Sequence, residues 1–267
     1  MTRLPVAADK FYPGDPTVLR QTIAELIPAS VAEPVKAQGV IVPHAGYVYS
    51  GAVAGETFAR IEIPETVILL GPNHHGQGEA VALGTENWAM PMGEVPFAVD
   101  LAAFILKESE VIRADNRAHR FEHSLEVQLP FLQYFQERLS IAPLVVSHIS
   151  YQDCLQVAAD IVRAVKAYDG PVLLVASTDM THYESRKNAA FKDHLALEHI
   201  LNRDPEGLYA TVVANRISMC GFVPTTITLL AALELGAEKA ELVRYTDSGE
   251  ASGDTSQVVG YAGLVLR

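Results

Sequence analysis

Gly39-Val40-Ile41-Val42-Pro43-His44-Ala45-Gly46-Tyr47 is the stretch whose reading decides the fold. Its four consecutive apolar and small residues, bounded by a turn signal, predict a strand buried on both faces, as in a parallel sheet covered by helices. The pattern returns at Val67-Ile68-Leu69-Leu70 before Gly71-Pro72, at Ile141 to Val146, at Val172-Leu173-Leu174-Val175, and in a last strand from Val258 to Leu266. Helix-like stretches lie between. Asp15-Pro16 opens the first, because Asp caps free amides and Pro tolerates the first helical position; Leu19, Ile23, Leu26 and Ile27 follow at helical spacing. Further helices are predicted at Gly51 to Arg60, Leu101 to Lys107, Tyr151 to Ala167, Ala189 to Asn202 and Gly221 to Leu235. Another covers Glu122 to Glu137, with a kink or restart at Pro130. This alternation predicts an α/β fold. With no repeat, low-complexity tract or linker, residues 1–267 read as a single domain with a central, mostly parallel or mixed sheet flanked by helices.

Composition narrows the function. The chain carries 32 acidic against 20 basic residues, a formal charge of −12, which argues against a nucleic-acid surface. At 49% hydrophobic and 19% charged residues it is too apolar for intrinsic disorder. No apolar run reaches the roughly 18 residues of a membrane span. Met1 to Lys10 lacks the basic and apolar regions of a secretory signal, and Cys154 and Cys220 are too few for a disulfide framework, so the expected setting is cytoplasmic. The nine histidines are the feature to place.

Three predicted strands end alike. Val40 to Pro43 runs into His44, Val67 to Pro72 into Asn73-His74-His75-Gly76, and Val172 to Ser177 into Thr178-Asp179-Met180-Thr181-His182. Ligands of open α/β sheets bind outside the carboxyl ends of the strands, where these loops converge. One histidine in such a loop is ordinarily a hydrogen-bonded turn residue; three such segments predict a shared site. Cys220, just before the helix-like run from Thr225, adds a thiol where a helix dipole favours the thiolate that a metal or nucleophilic chemistry requires. Cys154 fits an apolar helix face. His123 and Glu126, three apart near a helix start, are expected to share a face, the carboxylate fixing the imidazole tautomer. Asp179 is expected to orient His182 or to contact the metal. His119, His148, His194 and His199 are expected to be structural or on the surface.

Gly-x-Gly-x-x-Gly, a Walker loop and Gly-x-Ser-x-Gly are absent, so nucleotide sites and the α/β-hydrolase elbow have no support. A Cys–His hydrolase built on Cys220 stays open but employs one histidine and leaves the rest unexplained. A mononuclear metal site employs more of them, two imidazoles and an anionic ligand suiting iron, copper or zinc.

The segments together resemble the Memo-like family, also called AmmeMemoRadiSam system protein B. The resemblance is carried by Phe11-Tyr12-Pro13, Pro43-His44-Ala45-Gly46-Tyr47, Leu70-Gly71-Pro72-Asn73-His74-His75, Glu122-His123-Ser124-Leu125-Glu126, Ser177-Thr178-Asp179-Met180-Thr181-His182 and Cys220-Gly221. Ala8-Asp9 departs from the Ala-Gly expected there. The resemblance implies a fold similar to the class III extradiol dioxygenases and one transition-metal ion, iron or copper with zinc as an option, on His44, His74 and Cys220. It implies acid–base roles for His123 and His182 and a place facing the cleft for His75; Asp179, Glu126 and Tyr47 are further candidates read from the residues themselves. It also implies a small-molecule substrate, with a radical-SAM protein and an AmmeCR-like protein as pathway partners. The expected function is a metal-dependent redox enzyme. The alternatives are a non-catalytic metal- or peptide-binding module, with Tyr47, Tyr49, Trp88 and Met90 as apolar rim candidates, and a zinc- or Cys-dependent hydrolase.

Overall fold

Each of the five apolar runs expected as strands becomes one, and the five join one sheet. The computed structural model describes residues 2–30 and 32–267; Met1 and Val31, inside the expected domain, lie outside the described residues. In chain order come β1 (Thr2–Arg3), α1 (Pro16–Leu26), β2 (Gly39–Val42), α2 (Tyr47–Ala59), β3 (Thr66–Pro72), β4 (Val81–Leu83) and β5 (Asn87–Trp88). Next are α3 (Val99–Glu108), β6 (Arg113–Ala114), a 3-10 turn at Glu126–Gln128, α4 (Leu129–Phe135), β7 (Ser140–Val146), α5 (Tyr151–Ala167) and β8 (Val172–Ser177). The chain ends with β9 (His182–Glu184), α6 (Arg186–Leu201), α7 (Pro205–Ala214), α8 (Phe222–Glu234), β10 (Ala240–Asp247), α9 (Gly249–Ser252) and β11 (Val258–Leu266).

Among the described residues the main sheet has nine strands in the order β10-β11-β2-β8-β3-β7-β4-β6, with β9 also on β11. β2, β8, β3 and β7 run parallel, while β11 on β2, β10 on β11 and β4 on β7 are antiparallel, so the sheet is mixed. Alternate residues of one strand enter opposite layers. Val67 and Leu69 join Leu19 and Ile23 of α1, Phe58 of α2 and Phe131 of α4. Ile68 and Leu70 join Leu101 of α3, Ile161 of α5, Leu197 of α6 and Ile227 of α8. This two-sided burial explains why the strands are apolar without alternation.

Local signals set the element ends. Asp15 accepts hydrogen bonds from the Thr17 and Val18 amides and caps α1. Ser150 and Asp153 form a reciprocal capping box on α5. Pro130 restarts the chain: a 3-10 turn precedes it and α4 begins at Leu129, so Glu122 to Leu125 are not helical. α2 begins at Tyr47, four residues before its expected start, with Gly46 at the cap. The short edge strands and α7 escape the periodicity reading because they offer few buried positions to repeat. Asp9, where the resemblance leads one to expect Gly, adopts φ +61° and accepts from the Gly14 amide through its carboxylate, so an Asp holds this left-handed turn. Among the described residues no helix is long and apolar enough to cross a membrane.

Candidate metal centre

β2, β8 and β3 are neighbours, so the loops after their carboxyl ends meet. They deliver His44, Asp179 and His74. The loop before the 3-10 turn adds His123. Ring centroids lie 5.3 Å apart for His44 and His74, 5.6 Å for His44 and His123, and 4.9 Å for His74 and His123. One donor nitrogen from each of the three rings falls within 4.8 Å of the other two.

Cys220 precedes α8, its Sγ 3.3 Å from His44 Nε2 and 3.3 Å from the Asp179 amide nitrogen. Gly221 permits this approach. A Cβ there would stand 2.5 Å from the Ser177 carbonyl oxygen, so a larger residue would push the thiol away. The trio expected as ligands, His44, His74 and Cys220, therefore differs from the trio whose nitrogens converge. His123 takes the third place, and Cys220 stands beside His44.

Glu122 organises the imidazoles. Its buried carboxylate accepts from His74 Nδ1 at 2.9 Å, from the His74 amide at 2.8 Å and from the Ser124 amide at 2.9 Å, and lies 3.5 Å from His123 Nδ1. A carboxylate only accepts, so His74 carries its proton on Nδ1 and keeps the Nε2 lone pair. Nothing in the sequence singles out Glu122 for this place, since a carboxylate in a polar run carries no mark of burial. Glu126, expected beside His123, is instead directed at the N-terminal segment. It accepts from Arg3 Nη1 at 2.6 Å, Tyr12 Oη at 2.7 Å and the Val6 and Ala7 amides. The expected shared face required a helix that does not begin until later. The segment Glu126 anchors does reach the site, because Phe11 packs on His123 with centroids 4.6 Å apart.

Asp179 does not orient His182. Its Oδ1 accepts from the His44 amide at 2.8 Å and its Oδ2 lies 4.0 Å from His44 Nε2. His182 is set by Ser218, which accepts from its Nδ1 through the carbonyl and from its amide through Oγ. His75 is exposed, with Phe121 at 6.3 Å. Tyr47 is core: its hydroxyl donates to the Val127 carbonyl and its ring meets Phe131. Trp88 and Met90 are buried as well, so of the four apolar rim candidates only Tyr49 is exposed. His119 is structural: it is buried, its Nε2 donating to the Ala82 carbonyl. His199 links Asp204 and Thr211, stapling α6 to α7. His148 and His194 are exposed, and Cys154 is buried in the core.

Burial and then the neighbouring His74 push His44 down to about 3. Burial and then His44 push His123 down to about 4. Both are neutral at pH 7, the form that binds metals. For His74, burial opposes the charged form, but the hydrogen bond and charge of Glu122 together outweigh it and raise the value. Burial disfavours the Glu122 anion too, yet His74 and the Ser124 amide hold it well below the usual carboxylate range. Burial, reinforced by Asp179, pushes the Cys220 thiol up, and burial raises Asp179 itself despite the His44 amide.

The family model for Memo-like protein matches residues 3–265. The chain belongs to the Memo-like family. A MEMO1 family protein of Methanopyrus kandleri is 41% identical over 281 residues, covering 100% of this Memo-like chain and 99% of the relative. One from Aquifex aeolicus is 40% identical over 266 residues, covering 99% and 98%. The crystal structure of an uncharacterized Escherichia coli K12 protein aligns with a TM-score of 0.54 at 11% identity, over 85% of this chain and 99% of that one, a likeness of fold alone.

Proposed function

We propose that this Memo-like chain is a mononuclear transition-metal enzyme acting in redox chemistry on a small-molecule substrate. The observation that carries the reading is the convergence of donor nitrogens from His44, His74 and His123, with the Cys220 thiol against His44. The donor set fits a metal. His74 is held by an anionic partner in the manner of carboxylate–histidine–metal triads. The 3.3 Å between Cys220 Sγ and His44 Nε2 falls in the range of about 3.1–3.6 Å for two ligands at metal–nitrogen and metal–sulfur distances of about 2.0 and 2.3 Å. His44 and His74 would hold the ion, with Cys220 or His123 as the third ligand. Iron or copper bound there supplies one-electron chemistry and open coordination positions, and zinc a Lewis acid.

The protein's own groups divide the remaining work. Asp179, its carboxyl pushed up by burial, turns Oδ2 toward His44 Nε2 at 4.0 Å and is an acid–base group beside that ring. His182, its Nδ1 committed to the Ser218 carbonyl, keeps an Nε2 able to accept one. Glu122 keeps His74 in the tautomer that presents Nε2. A hydrolase using Cys220 as nucleophile is disfavoured, because the thiol sits where burial and a carboxylate oppose its anion.

Protein purified anaerobically is expected to carry one iron or copper ion per chain, lost in His44→Ala and Cys220→Ala, with oxygen uptake on a cognate substrate. A chain that stays metal-free under every loading condition overturns the reading. Bound metal without oxygen uptake across a substrate panel moves it to the non-catalytic binding module.

A further inference from the structure

The hydrogen-bond partners on the Nδ1 side of His44 fix which ring nitrogen carries the proton. Gln128 Nε2 lies 2.8 Å from the Pro43 carbonyl oxygen, which can only accept, and this fixes the orientation of the amide. The same Nε2 donates to Ser177 Oγ at 2.9 Å. Ser177 Oγ spends its only proton on the Ser124 carbonyl at 2.7 Å. It therefore meets His44 Nδ1, 2.9 Å away, as an acceptor, and the proton between them belongs to His44. Nε2 is left with its lone pair, facing Cys220 Sγ. The Asp179 amide donates to that sulfur, and the thiol proton has two acceptors in reach, His44 Nε2 at 3.3 Å and the Asp179 carbonyl at 3.7 Å. Gln128, Ser177 and Ser124 are fully buried, which keeps these bonds from exchanging with bulk solvent.

We propose that Ser177 and Gln128 are positioning residues that lock His44 as the Nδ1–H tautomer and thereby present Nε2 as a ligand. The metal consequence rests on the proposed function, while the tautomer itself does not. The device differs from the one on His74. That ring is held by the anionic Glu122, His44 by a neutral hydroxyl whose own proton is committed elsewhere, so the two imidazoles reach the site with unequal basicity. Ser177 ends β8 and Gln128 closes the 3-10 turn, and each lies far in sequence from His44.

The test uses the full chain with ¹⁵N-labelled histidine, free of metal, and two-bond proton–nitrogen correlation spectra that separate the two neutral tautomers. His44 is assigned by its disappearance in His44→Gln. Wild type is expected to show His44 as Nδ1–H. Ser177→Ala is expected to lose that pattern and to bind Zn(II) about tenfold to a hundredfold more weakly, and Ser177→Thr, which keeps the hydroxyl, to restore both. Gln128→Leu gives an independent variant if Ser177→Ala does not fold, and is expected to erode the tautomer preference. An Nε2–H pattern for His44 in wild type overturns the proposal, as does a Ser177→Ala protein that keeps both the tautomer and the affinity. A wild type with Nδ1–H that binds no Zn(II), iron or copper leaves the lock standing and removes the metal reading.

Discussion

Glu122 and Glu126 are four residues apart, equally buried, and each carboxylate accepts at least three hydrogen bonds, yet they serve different ends of the molecule. Glu126 faces a guanidinium, a phenol and two backbone amides and ties residues 3–12 to the domain. Glu122 faces imidazoles and sets their protonation. The backbone between them explains the divergence: an irregular loop at Glu122 turns into a 3-10 turn at Glu126, so the two side chains leave in unrelated directions. Burial made both carboxylates costly unless fully hydrogen-bonded, and the partner chemistry decided what each does.

The largest effect belongs to the clasp. Glu126→Ala leaves Arg3 buried without its counter-charge and should cost about 3–5 kcal/mol in denaturant unfolding. Metal affinity of the molecules still folded should change far less. Equal damage to both properties would mean that the two glutamates are not separable. Next is Glu122→Gln, nearly isosteric, which should weaken metal binding about tenfold to a hundredfold with a smaller stability loss than Glu126→Ala. Unchanged affinity by calorimetric titration would count against any role for the carboxylate in presenting His74.

The smallest effect near neutrality is on acid stability of the metal-free protein. His44 and His123 are depressed in the folded state to about 3 and 4, so the unfolded chain takes up protons first. Their stabilisation is complete above the unfolded value of about 6.5 and is lost as pH falls from there toward the folded values. His74 is raised, so its contribution is present below about 6.5 and lost as pH rises through its folded value, partly offsetting the acid loss. Thermal melts should therefore fall modestly from pH 7 to pH 5.5, and more steeply in Glu122→Gln, which removes the partner that raises His74. A melting temperature flat over that range in both proteins would refute this assignment.

Much of the fold was legible because a strand covered on both faces must be apolar throughout, and Val40 to Val42 or Val67 to Leu70 have few other places to go. His44, His74 and Asp179 were legible as loop residues after such strands, since the carboxyl ends of parallel strands share one side of the sheet. Glu122 was not, because nothing in a polar run marks which carboxylate will be buried. Nor were Ser177 and Gln128, whose value lies in where one hydroxyl proton goes.

The sequence by itself determined the layers, the strand ends and the histidines delivered there, since periodicity and turn chemistry act over a few residues. Only the tertiary structure decided that β8 lies between β2 and β3, that His123 joins His44 and His74, and that Glu122 rather than Glu126 serves them. Those outcomes depend on contacts between residues tens of positions apart, where hydrogen-bond direction and burial, not local pattern, set each group's partner.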